Sequence, residues 1–278
     1  MTVPLIVVLF TGSVLVWAEP ISPVAAGWYQ LGKAQLYNRQ FEQARESANR
    51  AIEFAPGSAQ SYILLGESAR ELHDYNGAYK AWLTATRLGP ANPLPPYYLG
   101  RLFYEANVFT EAAAWLREAL RLAPGHYAAM THLGLSAEAL GMTDTAEQLY
   151  SAALKESKSQ GKPYSWAWLS LAKLRRERGN ESEAAALLEE GAKLCPTAPL
   201  LVLLGQVHLA PGRTERAAAV LRRAIVIDPS IASAHYVLGR LLRTRGDADE
   251  AKLEMEAFLS AKENEPLSPV LVVRKVPK

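Results

Sequence analysis

The residues best suited to chemistry in this chain are tyrosines and arginines, and the chemistry they suggest is recognition. Tyr97, Arg101 and Tyr104 recur at helical spacing with Tyr98 beside them, so on a helix they would share one face. Tyrosine and arginine are the side chains that most often anchor interfaces. Aromatic residues at helical spacing also often belong to a core, so the pattern allows two interpretations: a binding surface, or packing against a neighbouring element.

Candidates for catalysis are scarce. The sequence contains no phosphate-binding glycine loop, zinc-ligand pair or nucleophile motif. Among the five histidines, His208 and His235 are interpreted as core residues. His132 could contact a ligand, but it has no Asp, Glu or Cys partner at motif spacing. We therefore expect no catalytic site, no metal and no cofactor, and the protein is predicted not to be an enzyme.

The elements that must position these residues follow from a pattern that recurs about every 34 residues. Each pass has a Gly or Ala directly after a Leu, and an Ala twelve positions later. The pairs are Gly32 and Ala44, Gly66 and Ala78, Gly100 and Ala112, Gly134 and Ala146, Ala172 and Ala184, Gly205 and Ala217, and Gly239 and Ala251. Because small side chains let two helix backbones approach closely, we expect the tightest helix crossings here.

This spacing resembles the tetratricopeptide repeat, a unit of helix, turn and helix. The resemblance covers residues 25–264 as seven units, at 25–58, 59–92, 93–126, 127–160, 165–197, 198–231 and 232–264. It implies an all-α fold: a right-handed superhelical solenoid of stacked helix–turn–helix repeats. Each unit has an apolar face that it cannot bury alone, so stability would come from stacking against its neighbours.

Two local features refine this prediction. Asn107, Gly141, Gly179, Gly212 and Gly246 share one repeat position between the two helices, where a left-handed residue would end the first helix. In the fourth unit Lys158 replaces the closing Pro, and the extra residues 161–164 follow it. We expect a long second helix there, a break at 161–163, and a change of superhelical path that divides the array into four and three repeats.

The resemblance also implies where a partner binds, because the first helix of each unit lines a concave face that usually holds a peptide or a helix. Carried over by position, the predicted partner-binding residues are Tyr29, Lys33, Tyr37, Arg70, Tyr97, Tyr98, Arg101, Tyr104, His132, Trp166, Lys173, Arg176, Tyr236, Arg240 and Arg243, with Glu67 and Gln206 on the same face. One groove position carries Lys33, Arg101, Lys173 and Arg240, which suits a protein segment with acidic side chains or a free carboxylate.

The chain ends predict targeting rather than further domains. An uncharged apolar stretch runs from Pro4 to Ala18, and Val16 and Ala18 occupy the −3 and −1 places of a small-residue cleavage site. We expect a signal peptide at 1–18, a short lead-in at 19–24 and a disordered tail at 265–278. The predicted location is periplasmic or secreted, and a membrane anchor formed by an uncleaved N-terminus is the alternative.

Charge and fold together predict a binding protein. The net charge of +2, from 30 basic and 28 acidic residues, does not favour nucleic acid. The sequence therefore predicts an exported, bacterial scaffold or adaptor that binds a protein segment, with membrane contact only through its N-terminus or a partner. Two alternatives stay open: a structural subunit of a cell-envelope assembly, secretion or polysaccharide-export complex, or a cytoplasmic adaptor if the N-terminus is not a signal.

Overall fold

The computed structural model describes residues 22–209 and 213–264, which form fourteen α-helices joined by short turns and contain no strand. In chain order these are α1 (Pro23–Tyr37), α2 (Phe41–Phe54), α3 (Ala59–Glu71), α4 (Tyr75–Leu88), α5 (Leu94–Glu105), α6 (Phe109–Leu122), α7 (Tyr127–Ala139), α8 (Thr143–Ser159), α9 (Ser165–Glu177), α10 (Glu181–Leu194), α11 (Ala198–Val207), α12 (Thr214–Ile227), α13 (Ala232–Arg245) and α14 (Ala248–Glu263). The predicted signal peptide, the first half of the lead-in, Gly212 and the predicted tail lie outside the described residues.

The helices stack as an all-α solenoid. Each odd-numbered helix packs on the even-numbered helix that follows it, and each pair packs on the next pair. The substantial contacts between helices that are not consecutive all join odd-numbered helices, such as α5 with α7, α9 with α11, and α11 with α13. Since stacked elements approach most closely on the inside of a curve, the odd-numbered helices form the concave side.

The helix crossings depend on the small residues of the repeat pattern, and all fourteen of these residues are buried. A Cβ atom on Gly66 would lie 2.3 Å from Nε1 of Trp82, and one on Gly100 would lie 2.5 Å from Cγ of Leu116. The same relation holds for Gly134, where the added atom would lie 2.5 Å from a ring carbon of Tyr150. A large side chain of the even-numbered helix therefore fills the space above each of these three glycines, a partnership that the sequence analysis did not identify.

In six of the seven helix pairs the turn contains a left-handed residue, as predicted at four of these positions; Gly212 of the sixth pair lies outside the described residues. Gly141, Gly179 and Gly246 have φ angles of 79°, 82° and 93°, and Asn107 has 59°. Sequence reasoning missed two further members of this set, because residues 39 and 73 are an arginine and a histidine with φ angles of 61° and 60°. Positive φ is uncommon for residues other than glycine, although histidine adopts it more often than arginine, so the fold imposes this conformation most clearly on Arg39.

The fourth pair ends as predicted, with a long helix and a break. Helix α8 has 17 residues, and Gly161 follows it with a φ angle of 62°. Lys158, which stands where proline closes most other units, lies 2.6 Å from the Glu190 carboxylate and over the ring of Trp168 at 5.6 Å. The residue that replaces the proline therefore ties α8 to the next helix pair.

The break does not divide the hydrophobic core. Tyr150 of α8 and Trp168 of α9 are fully buried in one cluster that continues into α11 and α13. Ion pairs also cross it, because Arg175 lies 2.7 Å from Glu147 and Arg178 pairs with the same carboxylate. Packing and charge therefore hold the two sides together, and the expected separation into four and three repeats is not present in the core.

The close helix crossing at Gly100 gives a testable expectation. Replacing Gly100 with Ala should lower the free energy of unfolding by about 1–3 kcal/mol, because the new methyl group overlaps Leu116 and the helices must move apart. Urea denaturation followed by circular dichroism measures this change.

The matched control is Gly27→Ala in α1, where an added Cβ atom meets nothing within 4 Å. It should raise the free energy of unfolding by about 0.5–1 kcal/mol, because alanine favours the helix more than glycine does. Equal effects of the two substitutions would show that the crossing at Gly100 tolerates a side chain.

Candidate protein-binding groove

The concave groove is the inner surface of the odd-numbered helices. Its predicted binding residues differ in how far they reach solvent. The exposed ones are Lys33, Tyr37, Trp166, Lys173, Tyr236, Arg240 and Arg243, the half-buried ones are Tyr29, Arg70, Tyr98, Arg101, Tyr104, His132 and Arg176, and Tyr97 is buried with 8% of its surface exposed. Most of the exposed residues belong to α9 and α13, so the accessible part of the groove lies toward the C-terminus.

The middle of the groove is filled by aromatic side chains, here called the tyrosine cluster: Tyr97, Tyr98, Tyr127 and Tyr164. The ring of Tyr97 lies 4.7 Å from that of His126 and 5.4 Å from that of Tyr98. Tyr164 comes from the inserted segment, packs 5.4 Å from Tyr127, and its hydroxyl interacts with that of Tyr97. Burial raises the pKa of both Tyr97 and Tyr164. The insertion therefore reaches back across one helix pair, which its sequence position did not reveal.

Beside the cluster, polar groups of the groove bond to one another, although the buried Nε of Arg101 has no hydrogen-bond partner among the described residues. The Tyr98 hydroxyl donates a hydrogen bond to Glu67 at 2.8 Å, and its ring stacks on Trp82 at 5.1 Å. Burial raises the pKa of the Glu67 carboxyl, although the hydrogen bond from Tyr98 opposes this change. Arg101 lies 5.8 Å from the centre of the Tyr97 ring and 3.4 Å from Glu105. These residues form an internal network that holds one arginine and two glutamates.

The four cations predicted at one groove position have different surroundings. Lys173 is 3.0 Å from Glu138, which also accepts a hydrogen bond from Tyr150 at 2.7 Å. The hydrogen bond to Glu138 raises the pKa of Lys173. Together with Arg101 and its partner Glu105, this means that half of the predicted set already has a carboxylate neighbour.

Lys33 and Arg240, the other two cations, make no ion pair within residues 22–209 and 213–264. Each lies over a tyrosine of its own helix, at 5.6 Å from the ring centres of Tyr29 and Tyr236. Cation–π contact leaves the charge available to a partner. The free positive charge is thus found at the two ends of the groove.

Two neighbouring cavities lie on α9, α11 and α13, and together they define the C-terminal groove. Their volumes are about 540 Å³ and 510 Å³, and both are lined by Arg176, Gln206 and Ser233. Leu169, Lys173, Glu177, Pro199, Val202 and Leu203 complete the first, and Leu209, Thr214, Tyr236, Val237, Arg240, Leu241 and Thr244 complete the second. Arg176 donates a hydrogen bond to Gln206 at 3.0 Å, so the shared wall is preformed.

Other chemistry is limited in the part of the chain that the structure describes. No group of three His, Cys, Asp or Glu residues there could hold a metal ion. Within the same residues, no helix has the length and apolar character needed to cross a membrane. Burial raises the pKa of the Cys195 thiol, which disfavours the reactive thiolate. His235 bonds to Glu254 at 2.7 Å and to the Pro229 carbonyl at 3.0 Å, in agreement with its interpretation as a core histidine.

The surroundings of His132 predict a pH effect on stability. Its ring packs against Tyr97 and Tyr104, and burial lowers its pKa to about 4 from 6.5. The folded state favours the neutral imidazole. Its contribution to the free energy of unfolding is therefore complete above pH 6.5 and is lost as pH falls toward 4. This loss of unfolding free energy should reach up to about 3 kcal/mol, and the part that comes from residue 132 should be absent in His132→Phe.

Urea denaturation between pH 4 and 7.5 measures this effect. His126 and His208 also have lowered pKa values, so His132→Phe should retain a smaller slope from these two residues. Parallel curves for the two proteins would show that His132 titrates normally.

Comparison with known proteins identifies the repeat. The family profile described as tetratricopeptide repeat matches residues 29–93, 63–127, 97–163, 133–199 and 202–266. Together these matches cover nearly all of the helical array. The profile identifies the repeat in the sequence, and the helix pairs of the described residues show the same repeat in the structure.

Individual relatives are distant. The chain is 24% identical over 245 residues to BBSome complex member BBS4 of Bos taurus, which covers 86% of this chain and 45% of that protein. The APC/C hetero-tetramer Cut9–Hcn1 structure has a TM-score of 0.69 at 22% identity, covering 78% of this chain and 43% of that one. The PilF structure from Pseudomonas aeruginosa has a TM-score of 0.63 at 20% identity, covering 76% of this chain and 95% of that one. The chain spans 19–45% of the length of the curated relatives it matches.

Because the profile matches well over half of its residues, the chain belongs to the tetratricopeptide repeat family.

Proposed function

We propose that this protein is a non-catalytic scaffold or adaptor that binds a peptide or a segment of a partner protein in its concave groove. Members of the tetratricopeptide repeat family are typically interaction scaffolds rather than enzymes. The observation that carries the proposal is the C-terminal groove, where Tyr236, Arg240 and Arg243 are exposed beside two adjoining cavities. Aromatic and arginine side chains next to pockets are typical anchors of protein interfaces.

The rigidity of the groove supports the same proposal. The helices that carry its side chains are fixed by buried crossings such as that of Gly205 with Leu221, where an added Cβ atom would lie 2.7 Å away. A preorganised surface loses little freedom on binding, which favours affinity. We also propose that each helix pair is one repeat, which makes seven along the described residues.

We propose that the protein acts outside the cytoplasm, as an exported bacterial member of the family. The support is the uncharged apolar stretch from Pro4 to Ala18 and the small residues before Glu19. N-terminal sequencing of the protein purified from its host tests this: we expect Glu19 as the first residue. An intact Met1 in the membrane fraction would indicate an anchor, and an intact Met1 in the soluble cytoplasmic fraction would indicate a cytoplasmic adaptor.

A structural role within a larger complex is the second candidate. BBS4 is named a complex member, and Cut9–Hcn1 is described as a hetero-tetramer. By analogy, this protein could be a subunit of a cell-envelope assembly, secretion or polysaccharide-export complex. That role predicts binding through the convex surface or the edges of the solenoid. The two candidates therefore differ in which residues would contact the partner.

Cross-linked capture from the native host distinguishes the two candidates. The double variant Trp166→Ala and Tyr236→Ala removes two exposed groove aromatics, and we expect it to lose at least about tenfold of the captured partner because these residues would anchor the interface. Mass spectrometry with isotopic labels measures the ratio to wild type.

The matched control is Phe54→Ala with Val226→Ala, which removes exposed apolar side chains from α2 and α12 outside the groove. It should capture as much partner as the wild type. If the groove variant still captures the partner and the control variant does not, binding in the groove is contradicted and a structural subunit is supported. Circular dichroism of each variant checks that the helices are intact.

A further inference from the structure

We infer that the C-terminal groove binds an amphipathic helix with one apolar side and one acidic side. The inference rests on the proposed function and names the chemistry of its partner. It depends on how apolar and basic residues are distributed along α9, α11 and α13, and on which of the cations lack a carboxylate neighbour.

Apolar side chains occupy the N-terminal halves of α9 and α13 and the middle of α11. Trp166 and Leu169 lie on α9, Val202 and Leu203 on α11, and Tyr236 on α13. Trp166 and Tyr236 are 45% and 39% exposed, so both can contact a partner, while Leu169 and Leu203 are half-buried and Val202 is buried. Because the odd-numbered helices of successive helix–turn–helix pairs run in the same direction, these residues form one stripe across the groove, here called the apolar stripe.

Basic side chains occupy the C-terminal halves of the outer two helices. Lys173 and Arg176 lie on α9, Arg240 and Arg243 lie on α13, and Gln206 lies between them on α11. They form a second stripe parallel to the first, here called the basic stripe. Leu169 and Arg176 are two helical turns apart, as are Tyr236 and Arg243, so the stripes are separated by about 10 Å along the helix axes.

The basic stripe keeps an excess of positive charge. Arg176, Arg240 and Arg243 have no ion pair in the described ranges, and only Lys173 is shared between Glu138 and Glu177. The N-terminal half of the groove differs, because its arginines Arg70 and Arg101 pair with glutamates within the chain. Charge complementarity therefore favours an acidic partner at the C-terminal groove, where three arginines lack an ion pair, over the N-terminal half, where Lys33 is the one predicted groove cation without an ion pair in the described ranges.

The distance between the stripes fits a helix. An α-helix with its side chains is about 10–12 Å wide, so one helix lying across α9, α11 and α13 can touch both stripes at once. Helices in contact are about 8–10 Å apart, so crossing three of them takes about 20 Å, or about 13 residues of helix. Acidic residues three and four positions apart would then face the basic stripe.

Fluorescence anisotropy with three labelled 15-residue peptides tests the inference on the full chain. The first peptide carries a Leu stripe flanked by Glu, the second has Lys in place of each Glu, and the third has the composition of the first in a shuffled order. We expect the Glu peptide to bind at least about tenfold more tightly than either of the others, with an affinity that falls as salt rises.

A charge reversal supplies the second measurement. Arg240→Glu with Arg243→Glu should weaken binding of the Glu peptide by at least about tenfold and strengthen binding of the Lys peptide. The control, Arg87→Glu with Arg117→Glu, makes the same change of charge at exposed residues of α4 and α6 and should leave both affinities unchanged. Circular dichroism verifies the helix content of each variant.

The outcomes separate the inference from the proposed function. Equal binding of the Glu and Lys peptides, or tighter binding of the Lys peptide, overturns the acidic partner while leaving a groove that binds protein segments. Equal binding of the Glu and shuffled peptides overturns the amphipathic helix. If no peptide binds, the inference fails, and the capture experiment decides the proposed function independently.

Discussion

The close contact between the two helices of each pair is the constraint on which the rest of this structure depends. A glycine or alanine on the odd-numbered helix lies against the even-numbered helix, and at Gly66, Gly100 and Gly134 a large side chain fills the space above it. Because the contact recurs at nearly constant spacing, every pair has almost the same geometry. Similar pairs stack into a solenoid, and the odd-numbered helices become neighbours on its inner side. The groove is thus a consequence of packing at residues that never touch a partner.

Within that groove the structure separates two environments that the repeat pattern treats alike. The middle is filled by the chain itself, since Tyr164 of the insertion reaches Tyr97 and the Glu67 carboxylate accepts the Tyr98 hydroxyl. The C-terminal groove is open, with exposed aromatics and arginines beside two cavities. The four-residue insertion between repeats therefore places Tyr164 in the middle of the concave surface, while the core continues beneath it.

Much of the fold was predictable because packing rules act on residue type and spacing. The buried positions of Ala44 and Gly100, the left-handed turn at Gly141 and the long helix before Gly161 all follow from local properties of the chain. The site was less predictable. Tyr97 and Tyr236 both lie three residues before the glycine of their repeat, yet the first is buried and the second is 39% exposed. Burial depends on which side chains of adjacent pairs lie over a residue, and no spacing rule contains that information.

The sequence by itself determined the architecture: an all-α solenoid whose repeat positions require small residues, with no recognisable catalytic motif. Those features follow from backbone conformation and from the distance between paired helices. Both are set by the residue types within short segments of the chain. Only the tertiary structure decided which cations keep their charge free, because the partners of Lys173 and Arg101 are set by how helices and turns place Glu138 and Glu105. It also decided that the inserted Tyr164 occupies the groove. Contacts between distant residues set local charge and exposure, so the exposed surface of the groove exists only once the pairs have stacked.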